Sequence, residues 1–167
     1  MFKLPDSSDR WAQALISKSN YLGQEAVIKT KFDVYYFFLM AGIANGTSLP
    51  LEKFSMSEFT KYVPEDFLKY RHVIAGLLLC AELVNKGIPL ERESAQCMVL
   101  ELFDERSSSL LSPRAMDTLN GYALKGSEIV MEEMPQPPAQ EVFLIWFASE
   151  MLPRLISQGA WAVRTGM

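Results

Sequence analysis

Residues 71–86 read RHVIAGLLLCAELVNK. Between Val73 and Val84 the single charged side chain is Glu82. A helix of that composition cannot turn one wide face to water, so it is expected at the centre of an all-helical core. Upstream, Pro64 suits the first turn of the same helix. Glu65–Lys69 and Glu82–Lys86 are i,i+4 pairs with the acid leading. Gly87 ends the helix, and Pro89 blocks its continuation. Pro64 to Lys86 is therefore expected as the central element, with Val34–Ala44 and Val142–Met151 packed against it.

The stretch before it, FDVYYFFLMAGIANG, begins at Phe32. Its aromatic and β-branched start would also suit a buried strand. Its unbroken length favours helix. Thr30 and Asp33 have capping-box spacing, and Asn45-Gly46 is a stop signal. Gly42 lies inside the run, where glycine costs about 1 kcal/mol against alanine. A close helix–helix approach is the expected reason. Thr47 to Phe54 reads as a loop. Ser55 and Glu58 form a capping box for a short helix reaching Tyr62.

At the start of the chain, Ser7 or Ser8 can cap a helix to about Ser19, with Trp11, Leu15 and Ile16 as its apolar stripe. Asn20 to Gly23 breaks it. After the central helix, another is expected from Pro89 or Leu90 to Phe103. Ser112-Pro113 is a start signal, serine as cap and proline in the first turn. The helix that follows extends toward Glu132, with a break expected near Gly126. Met134 to Gln140, MPQPPAQ, reads as a rigid extended connector. A last core helix from Ala139 carries Phe143, Trp146, Phe147 and Met151, and Pro153 ends or kinks it. The fold expected is all-α, one domain over residues 1–167 with five to seven helices in a bundle-like or orthogonal packing.

Composition narrows the function. The chain has 167 residues, 49% hydrophobic, with a formal net charge of −4. That is enough apolar content for a real core and too little positive charge for a protein dedicated to wrapping nucleic acid. The N-terminus has no apolar run after Lys3, and no stretch approaches the ~20 apolar residues that a membrane span needs. Two cysteines, Cys80 and Cys97, suit a reducing compartment, so a cytoplasmic location is expected. One histidine, His72, rules out a histidine-based zinc cluster, and neither a phosphate-cradling GxxxxGK[ST] loop nor a GxSxG elbow occurs. No cofactor or metal is expected.

Three functional readings remain. The favoured one is a non-catalytic subunit or adaptor of a protein assembly, which can also self-associate. Four consecutive aromatics, Tyr35 to Phe38, and the run VFLIWF from Val142 exceed what a modest core needs. Tyr35, Tyr36, Phe38, Phe143, Trp146, Phe147 and Trp161 are the candidate interface anchors. The second is a nucleic-acid accessory factor using Lys53, Lys61, Lys69 and Arg71, with acids interleaved. The third is a small enzyme whose base is His72, with Cys97 or Glu101 brought close by the fold.

Overall fold

The computed structural model describes residues 1–18, 26–89 and 92–158. In chain order the elements are β1 (Phe2–Pro5), α1 (Asp6–Ser17), α2 (Lys31–Asn45), β2 (Met56–Thr60), α3 (Arg71–Asn85), α4 (Arg92–Leu102), α5 (Pro113–Glu133), α6 (Gln140–Trp146) and α7 (Leu152–Gln158). Short 3-10 turns cover Leu51–Lys53 and Glu65–Tyr70, and a π turn, Phe147–Met151, joins α6 to α7. The protein is predominantly helical, as the sequence implies. The expected break at Asn20–Gly23, the start at Leu90 and Trp161 lie outside the described residues.

The axis of the fold is the α2–α5 pair. A Cβ on Gly42 would stand 1.8 Å from the Tyr122 carbonyl oxygen, and one on Gly126 would stand 1.7 Å from that of Phe38. Both glycines exist to let two backbones touch. The break expected at Gly126 is absent, and α5 continues unbroken from Pro113 to Glu133. The cost of glycine inside a helix is offset here by contact area gained between helices. Thr30 caps α2: its hydroxyl accepts from the Asp33 N–H at 3.2 Å, and Asp33 Oδ2 accepts from the Thr30 N–H at 2.7 Å. Gly46 closes the helix in the left-handed conformation, φ 80°. Ser112 caps α5 by accepting from the Ala115 N–H at 3.2 Å.

The region expected to be the central helix differs. Glu65–Tyr70 is a 3-10 turn, and the α-helix begins only at Arg71. α3 buries Ile74, Ala75, Leu78, Ala81 and Leu83, while Val73 is 52% exposed. It lies at the edge of the core and covers α2 from one side. Phe143 and Phe147 pack on Phe37 of α2, with ring centroids 5.3 and 5.0 Å apart, so the C-terminal helices also dock on α2.

Residues 55–62, expected to be helical, hold a strand instead. β2 pairs antiparallel with β1, Leu4 opposite Ser57 and Pro5 opposite Met56. Phe2 and Leu4 of β1 are buried in the same core that holds α2 and α5. This nonlocal pairing outcompetes the local capping signal of Ser55 and Glu58. Asp6, the first residue of α1, ties the same region together by accepting from Ser55 Oγ at 2.8 Å and Ser57 Oγ at 2.6 Å.

The Met134–Gln140 tract is a connector docked on α1. Trp11 Nε1 donates to the Met134 carbonyl at 2.9 Å, and Lys18 donates to that of Pro137. Gln140 is buried where three segments meet. Its Nε2 donates to the carbonyls of Ile28 at 2.9 Å and Leu15 at 3.3 Å, and its Oε1 accepts from the Ile28 N–H at 3.0 Å. Pro153 does not end the last helix. The wider π turn just before it accommodates a residue that has no N–H and would crowd an ordinary α turn, and α7 runs on to Gln158.

Candidate interaction surface

The outward side of α3 is apolar. Val73, Leu77, Cys80 and Val84 recur at intervals of four, three and four residues, which aligns them along one side of a helix. Gly76 lies among them, and a Cβ built on it meets nothing within 4 Å. Val73 is exposed, and Leu77, Cys80 and Val84 are half-buried. Glu82 does not interrupt the strip. It points inward, where Glu82 Oε1 accepts from the Tyr122 hydroxyl at 2.9 Å. Burial, and secondly the Glu82 carboxylate, push the Tyr122 phenol far above its ordinary value, so it stays a donor.

Each flank of the strip carries a hollow. On one side Leu77 joins Met40, Ile43 and Ala44 of α2 and Leu152 and Ile156 of α7 around an apolar cleft of about 250 Å³. On the other side His72 lines a cavity of about 230 Å³ with Val99, Phe103, Glu105 and Leu110. Val99, Ile156 and Tyr70 are themselves exposed, at 37%, 49% and 45%. The strip and the Leu77 cleft are apolar, whereas the second hollow carries His72 and Glu105 among apolar residues.

The structure disperses the residues of the enzyme reading. Neither Glu101 nor Cys97 lines the His72 cavity, and Glu101 pairs with Arg114 at 2.7 Å and with Lys86 at 4.0 Å. Cys97 is exposed, and Cys80 is half-buried on the strip. Of the described residues lining the His72 cavity, Glu105 is the other ionisable one. No group of three or more metal-ligating side chains forms among the described residues.

The aromatic candidates divide by burial. Tyr35, Phe38, Phe143 and Phe147 are buried within this chain, so their apolar area is spent on the core. Tyr36 and Trp146 are half-buried. Burial lifts the Tyr36 phenol above its ordinary value, and neighbouring Tyr70 adds to the shift. On the outer side of α6, Val142 and Ile145 are exposed at 53% and 67%.

The basic candidates do not share one element. Lys53 and Lys61 lie at opposite ends of β2, and Lys69 and Arg71 lie at the junction of the 3-10 turn with α3. Lys69 stands over the Tyr70 ring, 4.9 Å from its centroid. Lys61 borders a hollow of about 380 Å³ that mixes Lys3, Asp104 and Asp117 with Met1, Leu111 and Met116. Lys3 and Asp117 also line an adjoining trough of about 800 Å³ beside Arg114 and Glu52. Both hollows hold cations and carboxylates together.

The strip residues lie within residues 71–86 and are apolar in the sequence, but hydrophobicity alone does not separate a face buried in the core from one left outside. No family model, curated protein or solved structure matches this chain. Among the described residues, no helix is long and apolar enough to cross a membrane.

Proposed function

We propose that this chain is a non-catalytic helical subunit of a cytosolic protein assembly, and that it works by protein–protein contact through the outer face of α3. The observation that carries the reading is the uncharged strip Val73–Leu77–Cys80–Val84, with open space at Gly76. Exposing such a face costs hydration free energy of about 25 cal/mol per Å² of apolar area, which a partner recovers. The supporting contrast is α2, whose four aromatics from Tyr35 are already absorbed by the chain's own core or its margin. The test is the size of the native assembly in extracts of the source organism. With Val73→Glu the assembly is expected to fall apart while the variant stays folded. An assembly of unchanged size would refute this role for α3.

A nucleic-acid accessory role is the second reading. It is favoured by Lys61 and Lys3 lining one hollow and by Lys69 and Arg71, which form no salt bridge with another described residue. Phosphate contacts there would make binding strongly salt-dependent. Charge reversal at Lys69 and Arg71 should then weaken binding to DNA or RNA, and the absence of binding at low salt discards the reading.

A further inference from the structure

We propose that the occupant of the α3 strip is a second copy of this chain, packed antiparallel about a two-fold axis; this rests on the docking role given to α3 above. The first support is the symmetry of the strip. Its spacing of four, three and four residues reads the same in both directions. An isologous interface requires a patch complementary to itself. Two antiparallel copies of α3 place Val73 opposite Val84 of the other copy and Leu77 opposite its Cys80. The same register sets Gly76 near the axis, where a missing side chain lets two helices approach closely.

Charge points the same way. No charged side chain stands on the strip, since Glu82 is engaged with Tyr122 inside the protomer. The strip itself therefore brings no like charges together. Antiparallel packing sets the positive N-terminal end of each helix dipole beside the negative C-terminal end of the other. It also brings Lys69, which forms no salt bridge with another described residue, toward the C-terminal carbonyls of the second α3. A parallel arrangement would stack Lys69 on its own copy.

Size alone argues for including the flanks. A single helix pair is a small interface against the roughly 1,200–2,000 Å² of a stable complex. The apolar cleft at Leu77 and Ile156 and the exposed Val99 and Tyr70 lie on both sides of the strip and extend it. Bulky residues of the second copy would enter these hollows.

The test is cysteine cross-linking of the full chain. Cys80→Ala and Cys97→Ser remove the native thiols, and Val73→Cys with Val84→Cys places new ones at the two ends of the strip. Eleven residues apart on one helix, about 16 Å, the new thiols cannot join within a chain. Mild air oxidation is expected to convert most of the protein to a covalent dimer on a non-reducing gel. The Val73→Cys variant without Val84→Cys is expected to remain largely monomeric. Absence of the covalent dimer, or equal dimer from the single variant, overturns the antiparallel pair. If the dimer is absent but Val73→Glu still dissolves the native assembly, α3 docks a different protein, and only the identity of the occupant falls. If Val73→Glu also changes nothing, the docking role falls with it.

Discussion

The Tyr35 hydroxyl donates to Asn120 Oδ1 at 3.0 Å, and both side chains are wholly buried. The same oxygen accepts from the Lys3 N–H at 3.1 Å, and Asn120 Nδ2 donates to the Met1 carbonyl at 2.9 Å. One amide thus joins α2, α5 and β1. Burial raises the Tyr35 phenol well above its ordinary value, which keeps it protonated as the donor.

Asn120→Leu removes all three hydrogen bonds and leaves the Tyr35 hydroxyl and the Lys3 N–H without their acceptor. Leaving buried polar groups unpaired costs about 1–3 kcal/mol each, so a loss of roughly 2–6 kcal/mol is expected in urea unfolding. Tyr35→Phe removes one bond and leaves Asn120 Oδ1 with Lys3, so about 1 kcal/mol is expected. A larger loss for Tyr35→Phe than for Asn120→Leu would show that the amide is not the hub.

The glycines of the helices should separate sharply. Gly42→Ala and Gly126→Ala force a Cβ into a backbone carbonyl of the opposite helix. Backbone cannot swing aside as a side chain can, so each should cost about 3 kcal/mol or more. Gly76→Ala meets open space and gains helix propensity, so it should stabilise the folded monomer by about 0.5–1 kcal/mol. Thermal unfolding of the three variants checks the order.

Asp6 sets an acid-side dependence. Hydrogen bonds from Ser57, and then Ser55, hold its carboxyl below the ordinary carboxylate value. A depressed folded-state value means a stabilisation that is present above the unfolded pKa of about 3.9 and lost as pH falls through the folded value. The Tm gap between the native chain and Asp6→Asn should therefore be widest near neutrality and close as acid is added below about pH 4. A gap that widens in acid would contradict the assignment.

His72 lies in a cavity with Glu105 and three apolar residues, beside rather than on the α3 strip. His72→Gln is expected to leave both folding and the native assembly intact, as read by circular dichroism and by assembly size. Loss of a biological activity with the assembly preserved would restore the catalytic reading.

Much of this fold was legible where the signals are local. Thr30 with Asp33, Asn45-Gly46 and Ser112-Pro113 each act within a few residues, and each sits where its chemistry implies. β1 was not legible, because Phe2–Pro5 is four residues long and its partner lies more than fifty residues away. Nothing in FKLP announces a strand without Met56–Thr60 beside it. Gly126 was ambiguous for a related reason. Its cost to an isolated helix is written in the sequence, whereas the Phe38 carbonyl that compensates for it is supplied by tertiary packing. Gln140 followed a run of prolines and carried no mark of the three segments that it joins. The α3 strip was legible as apolar, but only the placement of α2 and α7 showed which side stays outside.

The most direct measurement is light scattering on the purified chain and on Gly76→Glu. The glutamate enters open space in the protomer, so the variant should fold normally, yet it sets a charge near the axis of the paired helices. The native chain is expected at twice the protomer mass of 18.9 kDa and the variant at the protomer mass. The same mass for both, whether single or double, would contradict the claim that the outer face of α3 is where this protein pairs with itself.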